Sequence, residues 1–157
     1  MVGSLLLRVV ATFGFIGLIP FAPATWASLV TLLLWLLLPE AGTPLFLAIW
    51  ILLVLLGTFA AHRAEQHYGH DDGRVVIDEV AGSLLAVAGF APRLGIAIAA
   101  FVLFRIFDIA KPPPIYQLQA MPGGIGVMAD DLAAGLLANV VLRLALLWVP
   151  GLTELLL

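Results

Sequence analysis

The sequence predicts an all-α fold, a polytopic bundle of membrane helices of which some are short or re-entrant. Apolar residues make up 63% of the 157 positions and charged residues 11%, whereas soluble domains have about 25% charged residues. Mean hydropathy is +1.16, and so few charges cannot cover the surface of a water-soluble domain. The apolar blocks are rich in Leu and Ala and lack the period-two alternation of strands. The length suits a single domain, residues 1–157.

Charge and cysteine content exclude several classes of protein. The net charge is −3, from seven basic and ten acidic residues, which argues against a nucleic-acid-binding protein. The absence of cysteine rules out a disulfide framework, a thiolate metal site and a cysteine nucleophile. Arg8 lies inside the first apolar stretch and no small-residue cleavage site follows it, so we expect no cleavable signal peptide.

Apolar blocks alternate with polar islands, and each block predicts a helix. The blocks are residues 5–20, 29–38, 45–61, 80–104 and 132–149. The sequence Ala91-Pro92-Arg93 divides the fourth block, which predicts a helical hairpin there. A helix needs about 20 residues to cross the hydrocarbon core. The block 45–61 nearly meets that length, whereas 29–38 and 80–90 must extend into flanking residues or be re-entrant.

Counting these spans places the polar islands 62–79 and 105–131 on one side of the membrane. That side carries four basic residues, against Arg93 on the other: Arg63, Arg74, Arg105 and Lys111. The positive-inside rule then makes the shared side cytoplasmic. Arg143 in the last block is expected to snorkel or to pair within the bundle.

Two adjacent carboxylates, Asp78 and Glu79, open the fourth apolar block. They could simply complement the N-terminal dipole of a helix, with Asp78 as its N-cap. However, carboxylates at the edge of hydrocarbon are costly, which favours a functional role.

Arg105, Asp108 and Lys111 are spaced by three and are predicted to share one helix face. They could form a ladder of ion pairs at the membrane boundary. A stripe of cation, carboxylate and cation also suits an anionic ligand. Three prolines at 112–114 must end this helix.

A Gly-rich segment, residues 122–128, leads into Asp130 and Asp131. Glycines allow backbone N–H groups to approach a phosphate, and two carboxylates at a helix start suit a hard cation; a structural role for both elements is about as common. Asp71 is a further candidate ligand. Oxygen ligands without cysteine favour Mg²⁺. The spacing of His62, His67 and His70 is not a strong zinc pattern, and a solvated loop is expected there.

At the segments 75–82, 104–115 and 123–135 the chain resembles the phosphatidylglycerophosphatase A family. Members are bacterial membrane enzymes of phospholipid synthesis that hydrolyse phosphatidylglycerophosphate to phosphatidylglycerol and phosphate with Mg²⁺. The Phe-Arg-x-Phe-Asp-x-x-Lys-Pro pattern beginning at Phe104 is the most specific match. The family's Pro-Gly-Thr-x-Gly-Ser element is present as Pro23-Ala24-Thr25-Trp26-Ala27-Ser28, in which both glycines are alanine.

Together, the residues and the resemblance predict a lipid phosphatase of the inner (cytoplasmic) membrane that binds its phospholipid substrate at the cytoplasmic side. The predicted metal ligands are Asp71, Asp78, Glu79, Asp130 and Asp131. The predicted catalytic residues are Asp78, Glu79, Arg105, Asp108 and Lys111, with Glu79 as general base. The substrate phosphate is predicted to contact Thr25, Ser28, Arg105, Lys111, Gly123 and Gly124. Attack by metal-activated water is expected because cysteinyl-phosphate and Asp-x-Asp chemistry both lack their residues.

Two other functions compete with this interpretation. A CDP-alcohol phosphotransferase is also a Mg²⁺-dependent membrane enzyme, but its long pattern of Asp, Gly, Ala and Arg residues is not met. An ion transporter or channel subunit could use the same carboxylates. Such a protein should show inverted repeats or broken helices in matching halves, and the sequence shows neither.

Overall fold

The computed structural model describes residues 5–38, 40, 42–69, 72–149 and 151–156, with His67 described by its backbone alone. These residues form helices and no strand, which confirms the predicted all-α class. A 3₁₀ turn at Ile16–Leu18 follows the first helix. The α-helices are α1 Leu5–Ala11, α2 Pro23–Trp35, α3 Pro44–Tyr68, α4 Ile77–Ala86, α5 Leu94–Ala110, α6 Ile115–Gln119, α7 Gly124–Trp148 and α8 Leu152–Leu156.

Two of these helices, α3 and α7, are long and apolar enough to cross a membrane. They differ in burial: 22% of the apolar stretch of α3 is buried against 56% of that of α7. Helix α7 is therefore the central helix of the bundle, and α3 lies at its periphery. Helices α2 and α4 have 13 and 10 residues, which is short for a crossing, as the sequence predicts.

The close packing of α4 against α7 is made possible by two glycines. A Cβ at Gly82 would lie 2.6 Å from the backbone oxygen of Asp131, and a Cβ at Gly135 would collide with the carbonyl of Gly82. The two helices run in the same direction, because Gly82 adjoins Asp131 and the C-terminal end of α4 adjoins Asn139. The acidic first turn of α4 therefore lies beside Asp130 and Asp131 in the N-terminal half of α7.

The C-terminal end of α4 is capped by side chains of α7. The amide nitrogen of Asn139 donates to the carbonyls of Leu85, Ala86 and Ala88 at 2.9–3.2 Å. Arg143 donates to the Asn139 side-chain oxygen at 2.8 Å and to the Ala88 carbonyl at 2.7 Å. These bonds satisfy carbonyls that a helix end leaves without partners. Arg143 therefore pairs within the bundle, one of its two predicted roles.

A sharp turn ties the N-terminal segment to the chain that precedes α4. Phe13, Gly14 and Phe15 all have left-handed φ values, 45°, 64° and 73°, and the buried Thr12 hydroxyl accepts from the Phe15 N–H at 3.0 Å. At the end of α1, the Ala11 carbonyl accepts from the Val76 N–H at 2.9 Å. The turn therefore holds α1 beside the start of α4.

Two boundaries differ from the sequence prediction. Helix α3 continues to Tyr68, so the part of the first polar island at 62–68 is helical and not a loop. Its residues include good helix formers such as Glu65 and Gln66, and the helix stops at Gly69, whose φ is 99°. Helix α7 begins at Gly124. The Gly-rich segment predicts Asp130 and Asp131 at the start of a helix. The structure instead places them well inside α7.

Candidate active site

Three buried carboxylates, called the trio below, form the centre of the candidate site. Asp78 and Glu79 lie in the first turn of α4, and Asp131 comes from α7. Each offers an oxygen atom, and these atoms lie within 4.8 Å of one another. Carboxylates this close repel strongly unless protons or a cation neutralise them. The Gly82–Gly135 contact explains the arrangement, since each glycine is four residues, or about one turn, beyond an acidic residue of the trio.

The trio has unused acceptor atoms that fit a divalent cation. Glu79 Oε2 and Asp131 Oδ2 are both buried and have no hydrogen-bond partner. Buried polar atoms are rarely left without a partner, so two such oxygens in one cluster are the feature a bound ion would explain. A donor set of carboxylate oxygens alone matches the preference of Mg²⁺ and Ca²⁺. The residues present therefore fit the predicted metal.

An ion pair on α5 lies beside this trio. Arg105 Nη1 donates to Asp108 Oδ2 at 2.7 Å, and both side chains are mostly buried. Asp108 interacts electrostatically with Asp131, and Arg105 with Glu79. Arg105 Nε is buried and has no partner. The guanidinium thus keeps a donor for an anionic ligand while Asp108 fixes its position.

Lys111 does not share the helix face predicted for it with Arg105 and Asp108. Helix α5 ends at Ala110, and Lys111 has a left-handed conformation with φ of 41°. Its Nζ lies 2.6 Å from Asp130 Oδ2 of α7, which is 5% exposed. The structure therefore places Asp130 against Lys111 and outside the trio, although both had been predicted at the same site. Only Arg105 and Asp108 share the predicted helical ion pair.

The other residues predicted to bind phosphate make contacts within the protein. Gly124 packs against the Thr58 carbonyl, and a Cβ at Gly123 would lie 2.7 Å from His62 Nδ1. These glycines therefore allow α7 to approach α3, and their phosphate-binding role stays a prediction. The buried Ser28 hydroxyl donates to the Ala24 carbonyl at 2.9 Å. Thr25 is half-buried on α2, and Asp71 lies outside the described residues.

Asp72 belongs to a separate, more exposed ion pair. Arg74 Nε lies 2.7 Å from Asp72 Oδ1, and this hydrogen bond lowers the pKa of the Asp72 carboxyl. The Arg74 guanidinium also stacks 3.9 Å above the centre of the Tyr68 ring. Asp72 is thus already compensated by a cation, in contrast to the carboxylates of the trio.

Sequence reasoning missed the residues that support the site from behind. Gly82 and Gly135 bring the two acidic helices together, and Asn139 anchors the far end of α4. A signal for the glycines exists in retrospect. Asp78 precedes Gly82 by four residues and Asp131 precedes Gly135 by four, so each pair lies on one helix face.

Comparison with known proteins agrees with this geometry. The family described as phosphatidylglycerophosphatase A matches residues 9–146. A putative phosphatidylinositol-3-phosphatase of Bacteroides thetaiotaomicron is 38% identical over 144 residues, which cover 86% of this chain and 89% of that protein. The phosphatidylglycerophosphatase A of Haemophilus influenzae is 39% identical over 137 residues, which cover 84% of this chain and 83% of that protein. That of Escherichia coli is 33% identical over 125 residues, covering 78% and 73%. No solved structure matches the chain.

The described fold and site define a helical protein whose buried acidic cluster lies between one short helix and one helix long enough to cross a membrane. The chain belongs to the phosphatidylglycerophosphatase A family. The predicted family is therefore confirmed. Phosphatidylglycerophosphatases are phosphoric monoester hydrolases, which is the enzyme class that the sequence predicts.

Proposed function

We propose that this protein hydrolyses the terminal phosphate monoester of phosphatidylglycerophosphate and releases phosphatidylglycerol. The observation that carries the proposal is the trio of buried carboxylates with two unpartnered oxygens, next to a guanidinium with an unpartnered donor. Such a pairing of anionic and cationic groups suits a metal ion together with a phosphate. The family and two of the relatives bear the name of this activity.

Asp78, Glu79 and Asp131 would hold the Mg²⁺. When bound there, the ion would supply Lewis-acid stabilisation of phosphate charge and a water molecule of lowered pKa. The buried position favours this chemistry, since electrostatic interactions are stronger where water is excluded.

The chain's own residues orient the phosphate and move the protons. Arg105 is oriented by Asp108, and its planar donors suit two phosphate oxygens. Lys111, held by Asp130, adds a second positive charge. Glu79 is the proposed general base: it accepts a proton as the water oxygen bonds to phosphorus. The bond from phosphorus to the glycerol oxygen breaks, and the proton taken up by Glu79 passes to that oxygen as it leaves.

A second substrate is favoured by one comparison. The relative from Bacteroides thetaiotaomicron carries the name phosphatidylinositol-3-phosphatase, and that lipid also presents a phosphate monoester on a glycerophospholipid. The same trio and the same Arg105 would serve either headgroup. The two substrates differ in the alcohol that leaves, so a direct comparison of rates separates them.

We place the protein in the bacterial inner membrane with this site at the cytoplasmic side. Helices α3 and α7 have the length and hydropathy of spans. The basic residues near the site, Arg74, Arg105 and Lys111, accord with the positive-inside rule. Cysteine labelling of positions 66 and 119 is convenient in this cysteine-free chain, and labelling from opposite sides would contradict the placement.

The activity is tested by phosphate release from purified protein in detergent micelles. We expect release from phosphatidylglycerophosphate without any nucleotide, loss of release with EDTA and recovery with Mg²⁺. Asp131→Asn should abolish it, whereas Asp72→Asn, a matched change in a carboxylate that is already paired with Arg74, should not. Faster release from phosphatidylinositol-3-phosphate would favour the second substrate. Full activity after exhaustive chelation, or a requirement for a cytidine nucleotide, would contradict the proposal.

A further inference from the structure

An apolar groove of about 380 Å³ lies between α1 and α3 and reaches the start of α4. Its α1 wall includes Val9 and Val10, and its α3 wall includes Ile49, Leu52 and Leu56. Ile77 contributes the part of the lining that comes from α4. The volume falls within the range of small-ligand pockets, roughly 300–1,000 Å³, and every side chain in its lining is apolar.

The groove and the candidate active site meet at neighbouring residues of α4. Ile77, which contributes to its lining, directly precedes Asp78 of the carboxylate trio. Ile77 is seated against α3 at Gly57, where a Cβ would lie 3.1 Å from Ile77 Cγ1. From that level the groove follows α3 back from Leu56 to Ile49, seven residues or about 10 Å of helix. It therefore extends from the residue that precedes Asp78 along a helix that is apolar enough to span a membrane.

The shape of the groove depends on the turn after α1. Phe13 and Gly14 line the groove, and both have left-handed φ values. Left-handed backbone is costly for a residue with a Cβ, so the turn at Phe13 is held by its surroundings. The Thr12 hydroxyl and the bond between Ala11 and Val76 supply that support. The groove is thus built into the fold where α1 joins the segment before α4.

We infer that this groove binds an acyl chain of the phospholipid substrate while its phosphate lies at Arg105, beside the carboxylate trio. The inference rests on the proposed function. The terminal phosphate and the acyl chains of the substrate are joined through its headgroup and glycerol backbone, so a chain begins within one headgroup length of a phosphate bound at Arg105. A wholly apolar groove that begins at Ile77 offers that chain a place.

The groove acts by steric fit and packing. A chain that leaves the bilayer for the groove exchanges one apolar environment for another, so burial itself provides little driving force. The gain is contact with a fixed surface, which positions the attached phosphate. Filling the groove should therefore impair turnover of long-chain substrate, whereas a substrate whose chains are too short to extend along the groove should be spared.

The kinetic test uses two groove variants and one matched control. Leu52→Trp and Val9→Trp fill the groove from opposite walls. Leu47→Trp places the same side chain on α3 at an exposed leucine outside the groove. For dipalmitoyl phosphatidylglycerophosphate we expect kcat/KM to fall about tenfold or more in both groove variants, as for a misplaced reacting group. With the dihexanoyl substrate we expect kcat/KM to change by no more than about twofold, because the reacting groups stay in place. An equal loss for both substrates, no loss for either, or the same loss in Leu47→Trp would overturn the inference.

Photolabelling separates the groove from the proposed function. Phosphatidylglycerophosphate with a diazirine in one acyl chain is mixed with the protein and Mg²⁺ on ice and irradiated at once, and a phosphatidylcholine with the same chain is the control. We expect labelling of α1 and α3 that depends on the phosphate monoester and is lost in Leu52→Trp, whether or not phosphate release is observed. Equal labelling by both lipids, or cross-linked dimers that involve these helices, would contradict a substrate-chain site. Absent phosphate release in the unchanged protein, by contrast, would contradict the proposed function.

Discussion

Replacing Gly82 with alanine tests how closely the two acidic helices must approach. The new Cβ would lie 2.6 Å from the Asp131 backbone oxygen and 2.7 Å from Phe104 Cε2, whereas ordinary van der Waals contact begins at 3.4 Å. Helix α4 must therefore shift by about 0.8 Å from α7, which is the shortfall against normal contact distance. Asp78 and Glu79 lie one turn away on the same helix, so the trio should widen by a similar amount.

The expected effects on stability and on activity differ in size. Overpacking costs about 1–3 kcal/mol, but alanine is favoured over glycine within a helix by about 1 kcal/mol. The net loss of stability should therefore be only about 0–2 kcal/mol. A misplacement of about 1 Å can lower a reaction rate about a hundredfold. We expect Gly82→Ala to fold, to lose most of its phosphate release and to require more Mg²⁺.

The assay pairs phosphate release with thermal unfolding in the same detergent. Gly73→Ala is the matched control, because a Cβ at Gly73 meets nothing within 4 Å and its backbone is not left-handed. It should retain both activity and stability. If Gly82→Ala keeps the activity and Mg²⁺ requirement of the unchanged protein, the contact between the helices does not set the geometry of the trio, and the reasoning fails.

Three further substitutions test the supports of the site. Asn139→Leu removes the side-chain donor of the Ala86 carbonyl at the end of α4, and loss of such a hydrogen bond costs about 1–3 kcal/mol. Its thermal midpoint should therefore fall, and an unchanged midpoint would contradict the capping role. Arg105→Lys keeps the charge but loses the planar fork, so turnover should fall about 10- to 100-fold. The affinity for Mn²⁺, used as a spectroscopic substitute for Mg²⁺, should be unchanged. A parallel loss of metal affinity would place Arg105 in the metal site. Asp130→Asn should raise KM by releasing Lys111 and leave Mn²⁺ affinity within about twofold; a large loss of affinity would return Asp130 to the ligand set.

Much of the fold could be predicted because apolar blocks and helix breakers are local signals. Pro92 divides α4 from α5 as expected, and the prolines after Lys111 end α5. The start of α7 could not be predicted from local preference, because its early glycines are there for packing. Gly124 approaches a carbonyl of α3, a tertiary contact that the segment itself does not reveal.

The candidate site was predicted as a set of residues but not as a geometry. The sequence identifies Asp78, Glu79 and Asp131 as acidic residues beside apolar helices, and the structure gathers these three. The sequence does not show that the Asp130 side chain points towards Lys111. Adjacent positions on a helix point about 100° apart, and the partner lies on another element. The left-handed residue at the end of α5 sets that pairing.

Binding of Mn²⁺, measured by electron paramagnetic resonance, tests the central claim most directly, because it reports on the carboxylate trio without any turnover. The protein in detergent should bind Mn²⁺ in competition with Mg²⁺, and Asp131→Asn should weaken that binding by about tenfold or more, as expected when a charged ligand is lost. Asp72→Asn, whose carboxylate is already paired with Arg74, should bind as the unchanged protein does. Equal Mn²⁺ affinity in the unchanged protein and in Asp131→Asn would contradict a metal site formed by Asp78, Glu79 and Asp131.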